Sequence, residues 1–572
     1  MGRRKPRARL LALAVVMSVP VVGISTLASA KPAHHRSITN DVDDGTWTPS
    51  EAPVPANALS DDQRVYITGT ACPGPGSCIA VGYYDTADAT LGLIDTISDG
   101  TSTLIEAPLP PDSHTGDLSG ITCSSVDFCV AVGNYGDDRG LIETMENGTW
   151  TATVTPVPSD VPRGVYGVTV DAVTCPADGS CVMVGLAAFQ GQGPDYEQGI
   201  PFIDTLSDGT WTSIDAPLPA NALVDFYEDG PTSVSCGAVG SCAAVGMYHY
   251  ADYDTTGLID TLSDGTWTAQ AAPAPPSTVE NQWMNVNAVS CPGAGSCVAI
   301  AEYSVPVGEI DTTEAGVILT LSGGSWSEIQ PPIPAGVTPG FAQLSSVACP
   351  AAGSCEIEGA VVDGHDDGGG SSLFEDLSGG TWTPSSPSLA GGPLDCPAVE
   401  SCVSVGANVV STLSDGVWTS TTVPLPANAQ QDTSGSTYAN LESVSCATIT
   451  SCAAIGDYRI VAPPGAPDDE ESLIETLGLG GVPAPVISSA DQATFAAGQS
   501  NSFTITASGP QAPVLSEKGK LPKGLHFEEG QGTATITGKP SKKTGIYLLT
   551  ITAKSTSANE RISQPFGLTV AS

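Results

Sequence analysis

Short apolar runs recur in groups of four along the chain, from about residue 40 to residue 480. In the group around 233–274, one run ends at a cysteine (SVSC), a second begins at a cysteine (CAAVGMY), and two more follow as GLIDTLS and TWTAQAAP. These runs are rich in Val, Ile, Thr and Trp, which favours β-strands over helices. Each group therefore predicts four short strands.

The turns between the runs support this interpretation. The third and fourth runs are separated by dipeptides that tolerate the positive φ angles of a tight hairpin: Asp99-Gly100, Asn147-Gly148, Asp208-Gly209, Asp264-Gly265 and Asp415-Gly416. Four antiparallel strands of this length form one blade of a β-propeller.

A pair of cysteines with five residues between them marks every group, and successive pairs lie 47 to 61 residues apart. Such a period is typical of propellers and solenoids. Eight pairs account for all 16 cysteines: Cys72 with Cys78, Cys123 with Cys129, Cys175 with Cys181, Cys236 with Cys242, Cys291 with Cys297, Cys349 with Cys355, Cys396 with Cys402, and Cys446 with Cys452. We expect a disulfide within each pair, because a six-residue separation across a tight turn can bring the cysteines into range. Zinc is disfavoured, because a structural site needs four ligands at one point and each pair lies in a different blade.

The two ends of the repeat region complement each other. The eighth group has three runs and then GLGGVPAP, with no fourth strand, whereas DGTWTP at 44–49 stands alone before the first cysteine pair. Pairing the N-terminal strand with the last group would close a ring and remove exposed edges. The sequence therefore predicts an all-β protein with an eight-bladed propeller over 41–480, rather than an open solenoid.

The first thirty residues combine a basic start, an apolar core over 10–22 and Ala28-Ser29-Ala30. This pattern predicts a signal peptide over 1–30, followed by a linker over 31–40. We expect a secreted protein, extracellular or associated with the cell surface, monomeric and without a membrane span after cleavage. Export is also the setting in which disulfides persist.

After a linker over 481–486 the repeat ends, and residues 487–572 carry alternating runs such as SFTITASG, TATITG and IYLLTITAK. Such runs predict the strands of a small sandwich. Together with Gly509-Pro510, the LPKGL segment at 521–525, Gly545-Ile-Tyr547 and the final FGLTV, they resemble bacterial Ig-like domains of the He-PIG type. The resemblance implies a cadherin-like fold and a spacer or adhesion module. Some relatives bind calcium, but the few acidic residues of this copy form no ligand cluster.

The repeats resemble secreted bacterial propellers with C-x5-C-x-A-V-G and D-G-x-W motifs. The Ser-Asp-Gly-Thr-Trp segment is also distantly similar to the Asp-box of sialidase-type propellers, although it lacks two of the spacer residues of that motif. Asp-boxes are structural, so this similarity bears on the fold alone.

Charge is distributed unevenly. Residues 41–482 contain 57 acidic side chains and four arginines, a net charge of 4 − 57 = −53, whereas 483–572 contain eight basic and five acidic side chains. Nucleic acid is excluded as a partner, because phosphate binding requires clustered Lys and Arg. The acidity favours solubility. Calcium stays open as a cofactor, with oxygen ligands at 252–254, 363–367 and 468–471, although none of these runs matches an EF-hand loop.

Binding residues are expected on one face of the ring. The connections between strands 2 and 3, and between successive blades, vary in length, whereas the cysteine hairpins and Asp-Gly turns on the opposite face are uniform. Long loops on a rigid scaffold are where binding residues concentrate. The candidates on this variable face are the four propeller arginines and four nearby tyrosines: Arg64, Arg139, Arg163, Arg459, Tyr66, Tyr84, Tyr135 and Tyr458. The arginines could form a positive patch for a carboxylate or sulfate, or could simply pair with neighbouring acids. The tyrosines could equally pack where second strands end.

No catalytic constellation is recognisable. His114, His249 and His365 are expected to be solvated, Tyr227-Glu228 is interpreted as an accidental likeness to a sialidase nucleophile pair, and no G-x-S-x-G elbow is present. The sequence favours a non-catalytic binding or surface-interaction protein whose partner is an extracellular glycan, a cell-wall polymer or a protein. The alternative is a carbohydrate-active enzyme, a hydrolase or lyase of sialidase-like architecture.

Overall fold

The computed structural model describes residues 47–571, apart from segments at 60–64, 99–100, 137, 160–164, 191–196, 224–228, 251–253, 276–282, 308–310, 336–340, 363–370, 387–391, 415, 427–428, 430–437, 461–468, 479–485, 488, 490–491, 509–512, 531, 542 and 555–560. Its regular structure over these residues consists of β-strands. The chain divides into two compact units near Leu477.

The first unit contains eight antiparallel four-stranded sheets, which are the blades of a propeller. Blades 1 to 4 are each built from four consecutive strands. They are β2 (Val65–Gly74), β3 (Ser77–Asp85), β4 (Thr90–Ser98) and β5 (Thr101–Glu106); β6 (Gly116–Ser125), β7 (Phe128–Tyr135), β8 (Arg139–Glu146) and β9 (Thr149–Val154); β10 (Val165–Ala177), β11 (Ser180–Gln190), β12 (Glu197–Ser207) and β13 (Thr210–Asp215); and β14 (Gly230–Ala238), β15 (Ser241–His249), β16 (Thr255–Ser263) and β17 (Thr266–Ala271).

Blades 5 to 7 follow the same plan, and blade 8 has three consecutive strands of its own. They are β18 (Met284–Gly293), β19 (Ser296–Val307), β20 (Asp311–Ser322) and β21 (Ser325–Ile329); β22 (Phe341–Ala351), β23 (Ser354–Val362), β24 (Ser371–Ser378) and β25 (Thr381–Ser385); β26 (Leu394–Ala398), β27 (Ser401–Gly406), β28 (Val409–Ser414) and β29 (Val417–Thr422); and β30 (Ala439–Thr448), β31 (Ser451–Ile460) and β32 (Asp469–Leu477).

The fourth strand of blade 8 comes from the other end of the propeller. Strand β1 (Thr48–Glu51) pairs antiparallel with β32, with Thr48 opposite Thr476 and Glu51 opposite Leu473. Trp47, which is 5% exposed, packs into the core between blades 7 and 8. The predicted eight-bladed propeller closed by an N-terminal strand is confirmed.

The junction that closes the ring is built like the others. Every first strand contacts the first strands of both neighbouring blades, so the first strands lie nearest the axis. Between blades 4 and 5 the backbone amide of Cys291 donates to the hydroxyl of Ser235 at 3.0 Å. Between blades 8 and 1 the amide of Cys72 donates to Ser445, also at 3.0 Å. The same hydrogen bond, from a cysteine amide to the serine that precedes the first cysteine of the previous blade, therefore joins blades within the chain and across the closure.

All eight cysteine pairs form disulfides inside their own hairpins, as predicted, with Cα–Cα distances of 4.0 to 4.1 Å. Each bridge clamps the turn between strands 1 and 2 of its blade, and its cysteines are buried. In order from blade 1 to blade 8, the bridges join Cys72 to Cys78, Cys123 to Cys129, Cys175 to Cys181, Cys236 to Cys242, Cys291 to Cys297, Cys349 to Cys355, Cys396 to Cys402, and Cys446 to Cys452. Eight disulfides indicate an oxidising environment.

The turns between strands 3 and 4 have the predicted chemistry. Asp264 and Gly265 have φ angles of 51° and 74°, and Asp208 and Gly209 have 51° and 72°. Two successive residues with positive φ define a type I′ hairpin, which suits Asp-Gly.

The second unit is a sandwich of two four-stranded sheets, as predicted for an Ig-like domain. Its strands are β33 (Val486–Ile487), β34 (Gln492–Ala496), β35 (Asn501–Ser508), β36 (Val514–Gly519), β37 (Leu525–Glu528), β38 (Thr533–Gly538), β39 (Gly545–Lys554) and β40 (Arg561–Ala571). The sheets have the orders β33-β35-β38-β37 and β34-β40-β39-β36, and β34 pairs with β40 in parallel. Phe495, Ile505, Ile536, Phe566 and Leu568 pack between them. Within the described residues of either unit, no helix has the length and apolar character needed to cross a membrane.

Candidate functional site

The first strands, which lie nearest the axis, carry a row of polar residues at one repeated position. The pairing of strands 1 and 2 shifts register at the same point in seven blades, which leaves one bulged residue in each first strand. These residues form what we call the bulge row: Thr68, Ser119, Asp171, Thr232, Asn287, Ser345 and Glu442. They are half-buried or exposed, whereas the residues beside them in the strands are mostly buried. Because the first strands lie nearest the axis and these residues are not fully buried, we expect them to line the central channel.

In six of the seven bulged blades a glycine in strand 2 makes room for the bulge, and blade 5 has Ala301 at this position. A Cβ atom on Gly246 would lie 2.0 Å from the carbonyl oxygen of Gly230, and one on Gly456 would lie 1.9 Å from that of Asn440. Real Cβ atoms do not approach carbonyl oxygens so closely. The glycine of the C-x-A-V-G motif is therefore explained by the close approach of strand 1.

A second polar row lies two residues earlier in the first strands, nearer the variable face. This upper row consists of Tyr66, Asp117, Thr169, Asn285, Gln343 and Asn440, again half-buried or exposed. Tyr66 stacks on Tyr83 with ring centroids 4.8 Å apart and an angle of 18° between the planes. The channel wall thus combines an aromatic pair with hydroxyl, amide and carboxyl groups.

Hydrogen bonds between the two rows hold some of these groups in place. The Asn285 side-chain amide donates to the Asn287 side chain at 2.8 Å, and the Asn440 amide donates to the Glu442 carboxylate at 3.1 Å. Thr68 donates to the backbone carbonyl of Leu118 in the next blade at 2.7 Å. A wall fixed in this way presents donors and acceptors at defined positions, which lowers the entropic cost of binding a polar ligand.

Three carboxyl groups in or beside the channel wall have raised pKa values. Burial, with the nearby charge of Asp138, raises the pKa of Asp117 to about 6. Burial raises the pKa of Asp171, in the adjacent blade, to about 7. Burial and the charge of Glu314 raise the pKa of Glu302 in strand 2 of blade 5. In their protonated forms, which Asp117 and Asp171 reach at mildly acidic pH, such groups can donate as well as accept hydrogen bonds.

Two of the four predicted arginines lie in the described residues, and both are at the variable face. The Arg139 guanidinium lies 4.6 Å from the Tyr135 ring centre and 3.3 Å from a carboxylate oxygen of Asp112. That of Arg459 lies 4.3 Å from the ring centre of Tyr438, an exposed tyrosine that the sequence analysis did not single out. Arg64 and Arg163 lie outside the described residues. Whether the four form one patch stays a prediction.

Three of the four predicted tyrosines lie in the interior. Tyr84, Tyr135 and Tyr458 are 1%, 2% and 0% exposed, so their rings do not present a surface to a ligand in this structure. They pack where second strands end, the alternative that the sequence left open. Only Tyr66 belongs to the channel wall.

The equivalent buried tyrosines have a visible structural role. The Tyr84 hydroxyl donates to Asn57 at 3.1 Å, and that of Tyr248 donates to Asn221 at 3.2 Å. Both asparagines belong to a Pro-Ala-Asn-Ala-Leu segment in the connection that enters the blade. The hydrogen bonds tie these connections to the ends of the second strands.

The histidines have different environments. His114 is exposed, as expected, and His365 lies outside the described residues. The expectation of a solvated His249 is wrong: its Nδ1 lies 2.6 Å from a carboxylate oxygen of the buried Asp229, and the same oxygen accepts a hydrogen bond from the His249 backbone amide at 2.8 Å. Tyr227-Glu228 falls outside the described residues.

The acidic runs that could bind calcium cannot be assessed in this structure. Most residues of the three acidic runs lie outside the described segments, and the structure provides no test of them. Within the described ranges, no three His, Cys, Asp or Glu side chains converge closely enough to hold a metal ion.

Fold and channel together define a closed eight-bladed propeller with a polar central wall, followed by an Ig-like domain. Residues 484–571 match the He_PIG family model, described as "Putative Ig domain", which covers only the C-terminal part of the chain. A search of curated proteins gives no match.

Solved structures with a similar fold have low identity. Sqt1 from Chaetomium thermophilum is 13% identical over 71% of this chain and 97% of its own, with a TM-score of 0.40. Trypanosoma rangeli sialidase is 11% identical over 75% and 90%, with a TM-score of 0.29. A six-bladed fucose-recognising lectin from Aleuria aurantia is 13% identical over 58% and 98%, with a TM-score of 0.26. Identities and TM-scores this low do not allow an activity to be assigned to this chain.

Proposed function

We propose that this protein is an extracellular, non-catalytic binding protein that takes a hydroxyl-rich carbohydrate at the variable-face end of its central channel. The observation that carries the proposal is the pair of polar rows in the first strands, which combine amides and hydroxyls with the stacked pair Tyr66 and Tyr83. Amide and hydroxyl groups bond sugar hydroxyls in both directions, and an aromatic face packs against the apolar face of a sugar ring. The signal-peptide pattern and the eight disulfides support a place outside the cell.

The test is an array of neutral and acidic glycans and cell-wall polymers, probed with the full mature chain. The wild-type protein should retain a defined set of neutral glycans. Gln343→Ala and Asn440→Ala should each weaken binding about tenfold, as expected when one buried hydrogen bond to a ligand is lost. Gln270→Ala is the matched control, because it removes an exposed amide from the outermost strand β17 of blade 4. Absence of binding to every polymer, or channel variants that bind like the wild type, would overturn the proposal.

A local positive patch would extend recognition to acidic glycans. Arg459 lies at the variable face above the exposed Tyr438, in a propeller that is otherwise strongly anionic. Arg459→Ala should weaken binding to uronate-containing or sulfated glycans several-fold while leaving neutral glycans unaffected, because a guanidinium forks onto carboxylate or sulfate oxygens. Arg459→Lys is the control, because it keeps the positive charge but not the bidentate guanidinium geometry.

Arg64→Ala with Arg139→Ala should remove binding to the acidic glycans altogether at an unchanged melting temperature. The patch would be refuted if these variants bound acidic glycans as tightly as the wild type does.

The enzymatic alternative rests on Asp117 and Asp171, which lie in the channel wall of adjacent blades and have raised pKa values. A carboxyl group whose pKa is raised toward neutrality can act as a general acid. Product analysis of each bound glycan distinguishes the two functions. Release of shortened or unsaturated sugars that disappears in Asp171→Asn would establish the enzyme, whereas binding without products supports the non-catalytic proposal.

A further inference from the structure

Most blades bury one acidic residue at the same place in strand 3. It is the Asp or Glu of the L-I-D-T motif, and it occurs in six blades as Asp95, Glu143, Asp204, Asp260, Glu375 and Glu475. All six are 0% exposed. Blades 5 and 7 have Leu319 and Ser411 instead. Because strand 3 is buried on both of its faces, this position would ordinarily hold an apolar residue.

These side chains point into the interfaces between blades. Asp260 stands opposite Ala244 in strand 2 and Ala269 in strand 4, so the three share one face of blade 4. Ala244 packs against Val184 and Ile203 of blade 3, which places Asp260 in the interface with that blade. The two alanines leave room for the carboxyl group beside it.

The same geometry recurs around the ring. Glu143 stands opposite Ala131 and Ala152, which pack against Val81 and Ile94 of blade 1. The neighbours of Glu475 and Glu375 likewise pack against Val and Ile side chains of the preceding blade. Each of these carboxyl groups therefore enters an apolar interface.

No charged partner accompanies them in the described part of the structure. Both carboxyl oxygens of Glu143, Asp260, Glu375 and Glu475 lack a hydrogen-bond partner. The facing groups named above are Ala, Val and Ile, and none of them titrates. Burial is the only cause that acts on these four groups, and it raises the pKa of each to about 8.

The two remaining members of the set have polar neighbours. Ser102 donates to Asp95 at 3.0 Å, and Ser213 offsets part of the effect of burial on Asp204. Burial still raises the pKa of Asp204 to about 7 and that of Asp95 above its ordinary value.

The interface between blades 6 and 7 has the opposite arrangement. Blade 7 offers Ser404 and Ser411, both buried, and the carboxyl groups come from blade 6 as Glu356 and Glu358. Glu358 accepts a hydrogen bond from the backbone amide of Gly392 in blade 7. Burial, with the charges of Asp376 and Glu375, raises the pKa of Glu356 to about 9. This interface therefore also contains buried carboxyl groups, but they come from strand 2 of blade 6 and not from strand 3 of blade 7.

We infer that the blades are packed around neutral carboxylic acids, and that the propeller is an acid-stabilised ring that loosens as pH rises from mildly acidic to mildly alkaline. The geometry that carries this inference is the repeated placement of an unpartnered carboxyl group in an apolar interface. A neutral acid is tolerated there, whereas a carboxylate without a partner is strongly disfavoured.

The direction of the pH effect follows from linkage. The unfolded chain ionises these groups near pH 4, whereas the folded chain holds their protons until about pH 7 to 8. Between these values the folded state binds more protons than the unfolded state, so stability falls as pH rises. Stability is greatest below the unfolded pKa and is lost as pH passes through the folded pKa.

The test measures protons released on unfolding at pH 6, by calorimetry of the full mature chain in buffers of different ionisation enthalpy. Asp260→Asn and Glu143→Gln should each reduce the release by about one proton, and together by about two, because they lie in different interfaces. Their melting temperatures should also fall less between pH 5 and pH 8 than that of the wild type.

Asp208→Asn is the matched control. It removes one carboxylate from an exposed hairpin turn with φ of 51°, a conformation that asparagine also adopts. It should leave proton release unchanged. Asp260→Leu copies the natural Leu319 of blade 5 and should raise the melting temperature at pH 8 more than at pH 5. The whole series is repeated at high salt, which screens repulsion between surface acids but not the effect of burial. A release that is equal in wild type, Asp260→Asn and Glu143→Gln, or a fall in stability that salt abolishes, would overturn the inference.

Discussion

Deleting residues 41–56 should destroy the cooperative melting of the propeller or cause it to aggregate. The deletion removes β1, the fourth strand of blade 8, and with it the pairing of Thr48–Glu51 to β32. It also removes Trp47 from the core between blades 7 and 8. The newly exposed edge of β32 would present unpaired amides and carbonyls in the outermost position, and such edges pair with other chains. Differential scanning calorimetry and light scattering on the full chain and the deletion variant measure both outcomes.

Two further variants separate closure from a general effect of truncation. Removing residues 484–572 should leave the propeller transition in place, because the Ig-like domain has its own core. Trp47→Ala keeps the strand but opens a cavity, and we expect it to lower stability by about 3 kcal/mol without aggregation. A deletion of 41–56 that melts like the parent would mean that β1 does not close the ring.

The architecture could be predicted because it depends on local signals repeated eight times. Cysteine hairpins, Asp-Gly turns and apolar runs each specify a short antiparallel contact, and the missing fourth strand of the last repeat had an obvious donor at DGTWTP. Each signal acts within a few residues, so it can be recognised without knowing the tertiary structure. The pairing of β1 with β32 joins the two ends of the propeller sequence, and it was predictable because the last repeat lacked its fourth strand.

The channel wall could not be read from the sequence in the same way. Its members are polar residues of different types, and they share a position only after the bulge in strand 1 is known. A trace of that bulge in six of the seven bulged blades was the glycine four residues after the second cysteine, which the sequence presents as one glycine among 64. Loop topology predicted the variable face for the arginines, and only Arg139 and Arg459 lie in the described residues. The burial of Tyr84 and Tyr458 was not predictable, because a residue at a strand end can point inward as readily as outward.

The carboxyl groups between blades had a sequence signal of their own. In L-I-D-T the acidic residue interrupts an apolar run at a fixed point of the repeat, whereas the acids of the turns and loops stand outside such runs. Leu319 occupies the same point in blade 5 and has an apolar environment there. An acidic residue at a repeat position that another blade fills with leucine therefore indicates a buried position rather than a solvated one.

Reducing all eight disulfides should leave a chain that no longer folds. Each bridge joins cysteines six residues apart, and closing such a short loop contributes roughly 2 kcal/mol by the chain-entropy model. The bridges lie in different blades, so their effects should add to on the order of 15 kcal/mol, as large as the whole stability of an ordinary domain.

The cysteines are buried, at 0 to 6% exposure, so the native protein should resist a reductant until denaturant opens it. The experiment therefore reduces and alkylates the chain in denaturant, removes the denaturant and follows refolding by circular dichroism. A sample treated identically but without reductant is the control and should regain its melting transition. The double variant Cys236→Ser, Cys242→Ser gives the effect of a single bridge and should fold with a lower melting temperature. Recovery of the native transition by the alkylated chain would show that packing between blades, rather than the disulfides, supplies most of the stability.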